Sequence, residues 1–402
     1  MLSLLKIELY KLAKFRKNRI VVAMLIVYIF ASIGFQYYQS KTYLNEKGAY
    51  FIRLSEYSGV KAAAIDAEIS NLESLKGVVE PRMSDRLELF TNLTRAQSNI
   101  GFFMQKEEKS NDAFIVYSQV HLFQSLIDAL ERDLFTEEEI LQRNYHIDDL
   151  KQDLALAEYW NTYKDEVVLN PYTVTGVSGL RAFFSYENLF ILTIFIIFIV
   201  LDVFLIESSG GTYKLIMTLP KSRLSIYVSK VLTMIIASVI LLTGAILLRF
   251  SISVIIGGLG NWADPVVSRE SLYGLSIIGK KAEPIIISSS EYILKGFILL
   301  NSVMYSFIFM LTMVAVLTDK VDQTLFIVFS VLLLTFILGT LLQKTSPVHM
   351  WYPFMGLFVS DVIQVTKQTN FILCNVLNLI LGAVSLLIGG FYFKQKDFTD
   401  KQ

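Results

Sequence analysis

Apolar and polar positions in this chain separate into long blocks. Six runs of roughly 20 mostly apolar residues, at 20–38, 184–206, 231–248, 296–318, 324–342 and 371–393, each match the length a helix needs to cross a hydrocarbon core of about 30 Å. Between the first and second runs, across residues 39–183, the pattern shortens to apolar positions three and four apart. That spacing predicts amphipathic helices over 62–75, 84–103, 113–134 and 136–163. Thr136 with Glu139 predicts a capping box at one helix start. The acids Glu137, Glu138 and Glu139 read as a solvated first turn, because adjacent helical residues point to different faces. Ahead of the first run, Leu2, Leu5, Leu9 and Leu12 fall at helical spacing with lysines mainly on other faces, which predicts a helix lying in the membrane interface, either as a topogenic anchor or with a functional role. Residues 256–295, rich in Gly and Ser with Trp262, Pro265 and Pro284, read as an outer loop of turns and short elements, and 343–370 as a second outer loop. The second carries Pro347, Trp351, Tyr352 and Pro353, a mix of the aromatic interface belt or of a segment dipping partway into the bilayer.

The expected fold class is therefore all-α: a polytopic membrane protein with six transmembrane helices and a mostly helical extracellular domain between the first and second spans. Its parts are an interfacial helix and first span (1–38), the extracellular domain (39–183) and a five-span transmembrane domain (184–402).

Composition agrees. Of 402 residues, 53% are apolar and 18% charged, against about 25% charged in soluble domains. Thirty-six basic residues balance 36 acidic ones, so no nucleic-acid partner is expected. Before the first span lie Lys6, Lys11, Lys14, Arg16, Lys17 and Arg19 against Glu8 alone, which places the N-terminus in the cytosol. Six crossings return the C-terminus there, consistent with Lys394, Lys396 and Lys401. The first apolar run is too long for a signal peptide and lacks an A-x-A cleavage site, so it is expected to be retained. The insert holds 23 acidic and 15 basic residues, but long loops translocate largely regardless of charge. Cys374, the single cysteine, excludes an internal disulfide.

Chemistry-bearing residues concentrate in one place. The segment 207–230 sets Lys214, Lys221, Arg223 and Lys230 against Glu207, with Gly210, Gly211 and Pro220 breaking the helix. Such a compact basic loop between two spans reads as a cytosolic docking element. Within the spans, Asp202 and Arg249 read as snorkelling to the interface, and Asp202 is also a candidate for a helix interface or a path. Asn301, Ser302, Ser306, Asn375 and Asn378 are placed to join helices or to line a path. His121, His146 and His349 are scattered surface or packing residues without metal-ligand spacing. Gly274, Gly279 and Lys280 imitate a phosphate-binding loop, but Lys281 stands where Ser or Thr is required.

Glu207, the Gly210–Gly211 pair, Thr212, Leu215 with the run to Leu219, Pro220, Ser222, Arg223 and Lys230 resemble the loop after the second span in permeases of the type 2 ABC exporter family. The resemblance extends over the six spans and not over the insert. It implies a transmembrane permease subunit of an ATP-driven exporter in a plasma membrane of bacterial type. The loop would contain a coupling helix, and Glu207, Gly211, Thr212, Leu215, Pro220 and Arg223 would contact a separate cytosolic ABC ATPase. The chain itself would be no enzyme and hold no cofactor, with ATP and magnesium on the partner. It would pair with a second copy or a paralogous permease, surrounded by membrane lipid. The alternative is a sensor or immunity protein whose outer domain captures a peptide or antibiotic without conducting it.

Overall fold

The computed structural model describes residues 2–75, 77–106, 112–143, 145–163, 167–204, 222–269, 284–318, 320–342, 346, 348–364 and 369–395. Six of its helices are long and apolar enough to cross a membrane, one for each apolar run. The protein is a helical, multi-pass membrane protein.

Helix α1 (Leu2–Lys14) is followed after Phe15 by α2 (Arg16–Ser74). The 59 residues of α2 make it about 88 Å long, so it crosses the bundle and continues into the insert without a break. Hydropathy drops near residue 38, but no proline interrupts 16–74, so the helix has no backbone reason to stop there. The insert adds α3 (Pro81–Lys106), α4 (Asp112–Glu131), α5 (Glu137–Arg143) and α6 (Ile147–Thr162). Its apolar core is separate from that of the bundle and is built from Phe51 and Leu54 of α2, Phe90, Leu93 and Ile100 of α3, and Leu122 and Leu126 of α4. Close approach of α2 and α3 depends on glycine: a Cβ on Gly101 would stand 2.8 Å from the Gly48 carbonyl oxygen.

The expected capping box is present, with the Thr136 amide donating to Glu139 Oε2 at 2.9 Å and the Glu139 amide to Thr136 Oγ1 at 3.3 Å. Glu139 corrects the solvated-turn expectation, because it is buried and accepts from Arg86 at 3.0 Å while Lys61 stands 3.4 Å away.

The chain re-enters the bundle through α7 (Gly176–Phe183), a short buried helix started by a reciprocal Thr175–Ser178 cap. Then follow α8 (Tyr186–Val200, helical again to Phe204), α9 (Arg223–Gly257), α10 (Ser289–Thr318), α11 (Val321–Leu341) and α14 (Phe371–Gln395). Two-thirds of the apolar window of α8 and of α10 is buried, 67% each, against 28% for α11 and 22% for α14. The former two are the centre of the bundle.

The two segments read as outer loops carry short elements. Strands β1 (Pro265–Arg269) and β2 (Pro284–Ser288) pair antiparallel, Val267 opposite Ile286. Between α11 and α14 lie α12 (Val348–Trp351), a 3-10 turn (Pro353–Leu357) and α13 (Val359–Gln364). Phe354 to Val359 are buried, and the Phe354 ring stacks on Phe307 of α10 with centroids 4.0 Å apart. Phe307 is eleven residues before the end of α10 at Thr318, about 16 Å, so this segment reaches roughly halfway down the bundle. The dipping alternative describes it better than a surface belt.

Candidate coupling site and embedded polar contacts

One face of the bundle, the terminal face, gathers α1, the start of α2, the end of α8, the start of α9 and the end of α14. Of the loop residues singled out from sequence, Glu207, Gly211, Thr212, Leu215 and Pro220 lie outside the described residues, as do the phosphate-loop imitation at 274–280 and Lys396 and Lys401. What the structure does describe is how both ends of this loop are anchored.

On the far side, Ser222 caps α9 by accepting from the Ser225 amide at 3.2 Å. Arg223, exposed, donates to the Lys394 carbonyl at the end of α14 at 3.2 Å. One turn on, the Tyr227 ring packs between Phe204 of α8 and Phe393 of α14, with centroids 6.0 and 5.5 Å away. Its hydroxyl donates to the Leu386 carbonyl at 3.1 Å. Glycine makes room for it: a Cβ on Gly389 would stand 2.6 Å from that hydroxyl.

Lys230 is a correction. Read from sequence as a loop charge, it is 0% exposed inside α9, donates to the Val203 carbonyl at 2.7 Å and faces Glu8 of α1 at 3.6 Å. A buried ammonium is costly unless hydrogen-bonded and paired, and here the carbonyl of α8 and the carboxylate of α1 supply both. Nothing local in the sequence signals this, because the partners are 27 and 222 residues away.

Asp202 does not snorkel alone either. It accepts from Lys17 Nζ at 2.7 Å and ties α8 to the start of α2. Asn18 next to Lys17 donates to the Leu12 carbonyl at 2.9 Å, fixing the angle between α1 and α2. The interfacial helix expected at the N-terminus is thus docked on α9 through Glu8, and its Leu4 and Leu12 pack on the bundle core.

Deeper in the bundle, Arg249 overturns the snorkelling expectation. It is 2% exposed and donates to the Gly179 carbonyl of α7 at 2.8 Å, Ser32 Oγ at 2.6 Å and Gln36 Oε1 at 2.8 Å. The start of α7 is itself stitched to the end of α9, since the Gly176 and Val177 amides donate to the Gly258 and Leu259 carbonyls. Gly258 ends α9 at a φ of 78°, a backbone conformation that glycine adopts without the steric cost of a Cβ.

The asparagines separate. Asn378, 0% exposed, donates from α14 to the Pro353 carbonyl of the dipping segment at 2.9 Å, and Cys374 Sγ stands 3.4 Å from the same oxygen. Asn301 and Asn375 bond back to their own helices, at Phe297 and Phe371. Ser302 likewise bonds within α10, to the Leu299 carbonyl, while Ser306 is buried with no partner for its hydroxyl among the described residues. His349 is buried beside the Leu338 carbonyl at 3.0 Å, His146 precedes α6, and His121 rests on Tyr117.

Residues 158–279 match the family model described as ABC-2 family transporter protein. The matched stretch contains α7, α8, the loop, α9 and β1, and it supports an ABC-2 type permease. Neither the curated proteins nor the solved structures give a match.

Proposed function

We propose that this chain is the membrane permease subunit of an ATP-driven exporter, with the terminal face in the cytosol and a separate ABC ATPase docked on the segment 205–222. The observation that carries this reading is the mutual fastening of the helices on either side of that segment. Lys230 of α9 holds the last turn of α8, Tyr227 is wedged between α8 and α14, and Arg223 reaches the end of α14. A push on the segment is then delivered to α8, α9 and α14 together, instead of being absorbed by one helix end.

The basic excess before α2 supports the cytosolic placement of this face. The insert then stands outside. Nucleotide and magnesium belong to the partner, which closes on ATP and moves the segment; this chain supplies the docking surface and the spans. The permease pairs with a second copy or a paralogue to form the path. In this reading the Glu207 carboxylate caps a short helix of the loop or pairs with an ATPase arginine, and Arg223 meets a carboxylate across the interface.

The test is Glu207→Ala and Arg223→Ala in the full chain. Each is expected to leave insertion and expression intact while weakening co-purification of the ABC ATPase, by a contact on the order of 1–3 kcal/mol. Transport-stimulated hydrolysis falls in step. Unchanged co-purification together with unchanged turnover in both variants would remove the coupling role from this loop.

A further inference from the structure

We propose that Arg249 is the positioning residue that passes movement of α9 to the insert, by gripping the uninterrupted helix α2. This rests on the reading that segment 205–222 receives the ATPase stroke. Helix α9 starts at Arg223, immediately after that segment, and Arg249 lies 26 residues along it, about 39 Å away. There its guanidinium meets Ser32 and Gln36, one turn apart on α2, and the Gly179 carbonyl of α7. Gln36 extends the contact by donating to the Thr173 carbonyl at 3.1 Å.

The grip acts on a helix that does not end at the bundle. From Gln36, α2 runs 38 residues further to Ser74, about 57 Å, and the insert core is built on it. A small rotation of α9 at Arg249 therefore tilts a rod, and the tip of the insert moves further than the grip does. The other side of the loop also holds α2, because Asp202 and Asn188 of α8 bond Lys17 and Tyr28 at 2.7 Å each. Both helices that flank the coupling segment thus hold the same rod at different heights.

The choice of arginine supports a geometric role. Among the described residues Arg249 forms no ion pair, and a cation buried against neutral acceptors costs stability that a well-packed apolar side chain would not. What an apolar side chain, or a lysine, does not offer is a planar fork of donors that holds three backbone and side-chain oxygens in fixed directions.

The experiment uses the full chain in nanodiscs, assembled with the ABC ATPase that co-purifies with it. Spin labels are placed at Ser84→Cys, exposed at the start of α3, and Ser290→Cys, exposed at the start of α10, in a Cys374→Ala background. Trapping the ATPase with ADP and vanadate is expected to shift the distance between them. Arg249→Met and Arg249→Lys should both lose the shift while ATPase binding is kept. Should Arg249→Met fail to insert, Ser32→Ala, which removes one acceptor, decides by a reduced shift. A wild-type complex that binds ATPase and shows no shift overturns the proposal, as does a wild-type shift in Arg249→Met or, in its place, Ser32→Ala. Retention of the shift in Arg249→Lys overturns the fork argument. A wild-type chain that binds no ATPase refutes the permease reading itself, and the proposal with it.

Discussion

Replacing Glu139 by Gln tests how the insert is held together. Glu139 belongs to α5, yet its carboxylate also receives Arg86 of α3 at 3.0 and 3.1 Å and lies 3.4 Å from Lys61 of α2. Glutamine keeps the shape and one acceptor for the Thr136 amide but removes the charge. Hydrogen bonds to charged groups contribute about 1.5–3 kcal/mol, and neutral ones about 0.5–1.5. The Arg86 side chain is 25% exposed, so most of that difference applies; that of Lys61 is 40% exposed, and its share is largely screened. The expected loss is about 1–2 kcal/mol, which corresponds to roughly 5- to 30-fold faster amide exchange in the last turn of α5. The assay is hydrogen exchange on the full-length protein, with Arg86→Met and the double variant completing a cycle.

The same contacts set a pH dependence. Burial alone pushes the Glu139 carboxyl up, but the Thr136 amide, Arg86 and Lys61 outweigh it and the net direction is down. A carboxyl lowered on folding stabilises the insert above its ordinary value of about 4.5, and that contribution disappears as pH falls through the lowered value. Glu139→Gln should flatten this acid limb and leave neutral pH to ~5 without a slope of its own. Wild-type exchange rates in Glu139→Gln, or strict additivity with Arg86→Met, would refute the three-helix role.

Two further outcomes follow from placement. Asn378→Leu should lower the detergent melting temperature, because it removes the amide donor from the Pro353 carbonyl and leaves that oxygen only the weaker Cys374 thiol 3.4 Å away, at a cost of about 0.5–1.5 kcal/mol. Asn375→Leu, which removes a hydrogen bond only to its own helix, should be nearly neutral, and equal effects would deny the tie to the dipping segment. In a Cys374→Ala background, cysteines at the exposed positions Ser84 and Ser222 should differ on intact cells, with an impermeant thiol reagent reaching Ser84 alone. Labelling at Ser222 from outside would invert the orientation.

The spans and most of the insert helices were legible because their signals are local: long apolar runs, three-and-four spacing, and the Thr136–Glu139 cap; the single helix expected over 136–163 is instead two, α5 and α6, parted before Ile147. The continuity of α2 was hidden by a change of environment at residue 38 that leaves the backbone unaffected. The roles of Lys230, Asp202 and Arg249 were not legible, since their partners Val203, Lys17 and Gly179 come together only in the packed bundle. The segment 348–364 is built from pieces of four to six residues, too short for a periodic pattern. Its apolar run from Phe354 to Val359 and the Tyr352–Pro353 step were the available clues. The hairpin had a clue too, in two Pro-led runs rich in Val and Ile.

The central claim is that residues 205–222 dock an ABC ATPase. A photo-crosslinking amino acid at Leu215, activated in intact cells and followed by mass spectrometry of the adduct, tests it most directly. The account predicts an adduct with a soluble protein whose peptides carry nucleotide-binding motifs, and none from the same probe at Ser84. Adducts only to lipid at Leu215, or an ATPase adduct at Ser84, would contradict it.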